Sequence, residues 1–171
     1  MAIGSEESAA KHGALTGRLL LILLAVVPVA AALVVGQIAT FPNLAPWYAS
    51  LAKPAFNPPN WLFGPVWTAL FVMMAYSVWR VLRLPPSRQR RRGLVLFYVQ
   101  LALNAAWPWM FFAAHSPALG LVDIVPQWIA IVGTIVSFRK LDRIATWSLV
   151  PLAAWVAFAA LLNFSIWQLN A

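Results

Sequence analysis

Apolar residues run along this chain in five long stretches, each separated from the next by a short polar or proline-rich connection. They cover approximately Leu19 to Ala39, Trp61 to Leu82, Gly93 to Ala114, Ala118 to Phe138 and Ile144 to Leu169. At about 1.5 Å per residue, each is long enough to cross a hydrocarbon core of roughly 30 Å as a helix. Lipid pairs no backbone amide, so only helix bundles and closed barrels span it, and continuous apolar runs disfavour a barrel. The pattern therefore predicts an all-α membrane protein, a five-transmembrane-helix bundle over residues 19–171. A loose tail is expected over residues 1–18, and residues 40–60 are expected to form a lid.

Composition agrees with that pattern. The chain is 63% hydrophobic and 9% charged, more apolar surface than a soluble fold of 171 residues can hide. The absence of cysteine excludes disulfides, thiolate metal sites and cysteine nucleophiles. A net charge of +8 could suggest nucleic acid, but its distribution points to topology. Alternate threading of five spans puts Lys11, Arg18, Arg80, Arg83, Arg88, Arg90, Arg91, Arg92, Arg139, Lys140 and Arg143 on one side and only Lys53 on the other. Basic loops stay cytoplasmic, so the N-terminus is expected inside and the C-terminus outside a bacterial inner membrane. The run Arg88 to Arg92 could bind nucleic acid or anionic lipid, but reads first as a topology anchor with snorkelling side chains. Lys11 and Arg18 ahead of an apolar run also resemble a signal peptide, yet the run is longer than a usual h-region and reads as a span.

The connection before the second span combines Pro42, Pro46, Pro54, Pro58 and Pro59 with Trp47, Tyr48, Phe56 and Trp61. Proline restricts itself and the residue before it, so this segment is expected to be stiff, beyond what an interfacial aromatic belt needs. Asn60 is expected to cap the second helix, with Pro65 in its first turn. Helical spacing puts Trp67, Phe71 and Met74 on one face of the second span, and Gln100, Asn104, Trp107 and Phe111 on one face of the third. Amides at membrane depth are unfavourable against lipid and are expected to face another helix or a ligand. Ala102 and Ala106, a small-xxx-small pair, suggest a homodimer contact through the third span.

In the fourth span Asp123 lies near the outer end, where it is read as hydrated rather than as a proton-coupled site. In the fifth, small Ala159 beside Trp155 leaves room for a flat ligand, and packing against the second helix would bring Trp155 near Trp67. Conventional enzyme chemistry is poorly supplied. His12 and His115 have no carboxylate at metal-ligand or triad spacing, so no metal site is expected.

Four motifs, WYASLAKPAFNPPNWLFGPVWT, FYVQLALNAAWPWMFF, LDRIATW and VPLAAWVAFAALLNFSIWQLN, give the chain a resemblance to the tryptophan-rich sensory protein and translocator protein family (TspO/MBR, peripheral-type benzodiazepine receptor-like). The resemblance implies a five-helix homodimer with a cavity under the first loop that binds porphyrins, with protoporphyrin IX or haem as ligand and no obligatory cofactor. Matched by position, the implied pocket residues are Tyr48, Pro58, Trp67, Phe71, Asn104, Trp107, Trp155 and Ala159. Trp67 and Trp155 match the pair associated with light-dependent porphyrin breakdown. Leu152 stands where the family often has tyrosine, and Phe164 and Gln168 break the sterol-recognition pattern. The expected function is porphyrin binding for tetrapyrrole sensing or trafficking in the membrane, without nucleic acid. Photochemical degradation is the alternative, and ion-coupled export through Asp123 the third reading.

Overall fold

A computed structural model describes residues 3–171, with side chains described from Leu15 onward. Five helices follow one another: α1 (Ile3–Leu44), α2 (Asn60–Leu82), α3 (Arg88–Pro108), α4 (Pro117–Arg139) and α5 (Arg143–Leu169). Among the described residues all five are long and apolar enough to cross a membrane, so the chain is an integral membrane protein with the predicted helical architecture. Where a loose tail was expected over residues 1–18, the backbone is already helical from Ile3, the start of α1. Packing runs in a ring: α1 touches α2 and α3, α3 touches α4, α4 touches α5, and α5 closes against α2.

The spans are longer than hydropathy suggested, because hydropathy marks the apolar part of a helix and not its capped ends. Ser87 accepts from the Arg90 amide at 3.1 Å and starts α3 five residues before Gly93. Ser116 and Asp142 start α4 and α5 in the same way. Two expectations about α2 are corrected. Pro59, not Asn60, occupies the cap position and makes no side-chain bond, and Pro65 falls past the first turn, inside the helix. The lid is also shorter than 40–60, since α1 runs through Pro42 to Leu44.

The outer surface is apolar where lipid would touch it: Val72, Val122 and Ile129 are more than 60% exposed. Inside, the half of the bundle nearer the basic loops is densely packed around Met74, Val78, Val81, Phe97 and Phe138. A Cβ on Gly93 would stand 3.0 Å from the Phe138 ring, so glycine there sets the approach of α3 to α4. Polar groups in this half are used up by structure. Ser77 donates to the Ala145 carbonyl at 2.7 Å. Arg90 donates to the Val81 and Leu82 carbonyls at the C-terminal end of α2, and Val81 also accepts from the Leu84 amide at 3.1 Å. Arg80 and Asp142 pair at 2.8 Å, joining α2 to the start of α5. That guanidinium holds the Asp142 carboxyl below the usual carboxylate range. In α1, Pro28 lacks the amide hydrogen that would bond Leu24 four residues back, and the Tyr98 hydroxyl donates to that carbonyl instead, at 3.2 Å.

Candidate functional site

At the other end the helices enclose a cavity of about 340 Å³, within the range usual for small-molecule sites. Trp67 and Phe71 reach it from α2, Asn104 and Trp107 from α3, and Trp155 and Ala159 from α5. Tyr48 reaches it from the loop, so seven of the eight expected pocket residues converge. Pro58 does not line the cavity. It lies behind Tyr48, where its carbonyl accepts from Asn57 Nδ2 at 3.0 Å and Asn57 Oδ1 accepts from the Tyr48 hydroxyl at 3.1 Å. Proline restriction thus shapes the roof rather than the wall.

The roof is tied down at both sides. Tyr48 is 5% exposed, packs on Phe112 at 5.5 Å between ring centroids, and carries the Lys53 ammonium 4.6 Å over its ring. Burial pushes its hydroxyl above the ordinary tyrosine range, with the Asn57 bond opposing, and the group stays a neutral donor. Trp47 stacks on His115 at 4.8 Å, and His115 Nε2 lies 2.7 Å from Asn43 Oδ1, so loop, α1 and the α3–α4 turn meet there. His115, in the turn between α3 and α4, has a positive φ of 51°. From the C-terminus, Asn170 accepts from the Ala52 amide at 3.0 Å and donates to the Ala52 carbonyl at 2.9 Å. This two-bond latch has no signature in the sequence, because an asparagine carries no sign of which distant backbone it will reach.

The wall owes its shape to a break in α3. After Pro108 the backbone continues as one π-helical turn, Trp109–Ala113, whose wider spacing turns Phe111 and Phe112 inward. Phe111 stacks on Trp107 at 4.8 Å. Trp107 Nε1 donates to Asn163 Oδ1 at 3.2 Å, and Asn163 Nδ2 donates to the Pro117 carbonyl at 2.7 Å. Gly120 makes this possible, since a Cβ there would stand 2.6 Å from Asn163 Oδ1.

Other polar groups are buried without a hydrogen-bond partner in the protein: Asn104 Nδ2, Trp155 Nε1, Gln100 Oε1 and both oxygens of Asp123. Asn104 and Trp155 line the cavity and leave it two free donors. Asp123 corrects the hydrated reading. It is 2% exposed, because it shares the inward face of α4 with Gly120 and Gln127, and it does not line the cavity. An external groove between α1 and α2 shares Leu33, Gln37, Phe41 and Gly64 with the cavity lining, so the wall between cavity and outer surface is thin there. A hollow walled by rings, with two unpartnered donors on residues of its wall and only a thin partition towards the outer face, suits a large, flat, mostly apolar molecule bearing hydrogen-bond acceptors.

The sequence model of the TspO/MBR family matches residues 24–168. Over 131 residues the chain is 48% identical to the tryptophan-rich protein TspO of Chlorobaculum tepidum, covering 75% of this chain and 83% of the relative. It is 39% identical to the protein CrtK of Rhodobacter capsulatus over 72% of this chain and 78% of that one. It is also 39% identical to the translocator protein of Homo sapiens, over 72% and 75% respectively.

Proposed function

The chain belongs to the TspO/MBR family, and from that premise and the cavity we propose that it binds porphyrins beneath the first loop, for tetrapyrrole sensing or trafficking in the membrane. The observation that carries this reading is the convergence of Trp67, Trp107 and Trp155 with the unpartnered Asn104 amide on one enclosed hollow. Indole faces stack on a tetrapyrrole plane, and the donors meet the acceptors of its carboxylate edge. No obligatory cofactor enters this function, and protoporphyrin IX or haem is the ligand. The thin wall between the cavity and the groove of α1 and α2 supports exchange with the bilayer, which dissolves such molecules better than water does.

Two copies associate through the third span, where Ala102 is exposed and Ala106 half-buried. The N-terminus is cytoplasmic and the C-terminus outside, which puts the cavity end on the outer side.

Titrating the purified protein with protoporphyrin IX in the dark tests the binding reading. Saturable tryptophan quenching at micromolar ligand is expected, and its absence would count decisively against it. A second reading rests on Trp67 and Trp155 lining the same cavity: light absorbed by the bound pigment drives its oxidation by dioxygen, with these indoles assisting. Illuminating the same sample separates the two, because unchanged product formation by the Trp67→Phe, Trp155→Phe variant rules the indoles out. Export coupled to Asp123 ranks third, since that carboxyl is absent from the cavity wall; proteoliposome flux that Asp123→Asn leaves unaltered would end it.

A further inference from the structure

We propose that Gln37 is a specificity-determining residue: its side-chain amide, on the thin wall between α1 and α2, pairs with a carboxyl group of the ligand and selects free acids over esters. The proposal rests on the porphyrin reading above. Gln37 lines both the cavity and the outer groove. It stands two turns before the end of α1 at Leu44, about 10 Å by helix rise, so its side chain is too short to reach the membrane surface. The hydroxyls around it are spent on their own helices. Thr40 donates to the Gly36 carbonyl at 2.8 Å, and Thr68 to the Gly64 carbonyl at 2.9 Å. The Gln37 amide makes no hydrogen bond among the described residues. Across the groove α2 presents Gly64, where a Cβ would meet nothing within 4 Å, so α2 offers space there and not a partner. An amide at membrane depth is unfavourable unless a helix or a ligand meets it, and here the ligand is left.

The chemistry of the amide decides what it meets. A carboxamide carries a donor and an acceptor side by side. A carboxyl group, favoured un-ionised in an apolar site, matches both: its O–H donates to Gln37 Oε1 and its carbonyl accepts from Nε2. An ester lacks the O–H and can take one of the two bonds. Position makes this a second contact with the ligand. A Cβ on Gly36 would stand 3.3 Å from the Pro108 ring, so Gln37 lies about one turn nearer the loop than Asn104. Asn104 and Trp155 therefore address one point on the ligand and Gln37 another, as the two propionate groups of protoporphyrin IX require.

The test is a dark titration of the full chain in detergent with protoporphyrin IX and, separately, with its dimethyl ester, read by tryptophan quenching. Gln37→Met keeps the length of the side chain and removes both polar ends. It is expected to cost roughly tenfold in affinity for the acid and at most about threefold for the ester. Thr68→Val, on the same groove but with its hydroxyl already spent, is expected to change neither. Melting followed by differential scanning fluorimetry is expected to stay level or rise in Gln37→Met, because an unpaired amide leaves the lipid-facing wall. Equal losses for acid and ester would make Gln37 a packing residue of the wall and overturn the proposal. Unchanged affinity for both would overturn it too, while leaving the porphyrin reading intact. Wild-type protein that binds neither compound would bring down that reading and the proposal together.

Discussion

The two ends of this bundle use the same materials in opposite ways. At the basic end the buried hydroxyls of Ser77, Thr134, Ser137 and Thr146 are bonded, the helices close around stacked phenylalanines, and Gly93 lets α3 approach α4. At the loop end α3 breaks into a π turn, aromatic rings face a hollow, and the unpartnered buried polar atoms gather between there and the middle of the spans. A buried polar atom without a partner costs about 1–3 kcal/mol; Asn104 and Trp155 carry that cost on the cavity wall, where a ligand can offset it, while Gln100 and Asp123 carry it outside the lining. The packed end supplies stability and the loop end gives some of it up for binding.

Filling the hollow breaks that contrast most directly. Ala159→Phe puts a ring into the space beside Trp155, in a cavity the native packing leaves open. Porphyrin affinity is expected to fall at least about tenfold, equivalent to ~1.4 kcal/mol, while thermal stability stays level or rises because empty space is removed. Absorbance of the bound porphyrin reads the first effect and differential scanning fluorimetry the second. Affinity and stability falling together would mean that Ala159 belongs to the packed part of the bundle.

A smaller effect is expected at the roof. Asn170 holds Ala52 by two exposed hydrogen bonds, each worth about 0.5–1.5 kcal/mol at most, and also bonds the Ile166 carbonyl at 2.7 Å, so Asn170→Ala loosens the loop while removing no side chain from the cavity lining. Porphyrin association and dissociation, followed by stopped-flow fluorescence, are both expected to quicken severalfold, with the equilibrium constant changing much less. Faster dissociation alone would place Asn170 among the groups that contact ligand.

Legibility in the sequence follows the same division. Helical phase placed Gln100, Asn104, Trp107 and Phe111 on one face, because side-chain periodicity is a local property, and ridge packing of the fifth span on the second brought Trp67 and Trp155 to one hollow. Phase also decides Asp123, and the inward partners Gly120 and Gln127 outweigh its nearness to the helix end. What could not be read depends on distant partners or on backbone detail. The π turn after Pro108, the service of Arg90 to α2 and the reach of Asn170 to Ala52 are settled by where other elements lie. Pro58 was legible as rigid and not as hidden, since restriction of φ says nothing about which side of a roof a residue occupies.

The smallest expected effect lies at the basic end and concerns pH. Arg80 and the Ala145 amide lower the native pKa of Asp142 below its unfolded value near 3.9. A carboxylate with a depressed native pKa contributes stability that is complete above the unfolded value and fades as pH falls through the native one. The melting temperature of the wild-type protein is therefore expected to be flat from neutrality to about pH 5 and to drop below about pH 4. Asp142→Asn keeps a capping oxygen for α5 but abolishes the charge, so it is expected to be modestly less stable at neutral pH and to lose that acid limb. The porphyrin affinity of this variant is expected to match wild type at neutral pH, since the pair is at the opposite end from the cavity wall. A variant that still shows the full acid limb would assign it to another carboxyl. One that loses porphyrin affinity would show that the packed end and the binding end are coupled through α5, and the division between them would no longer hold.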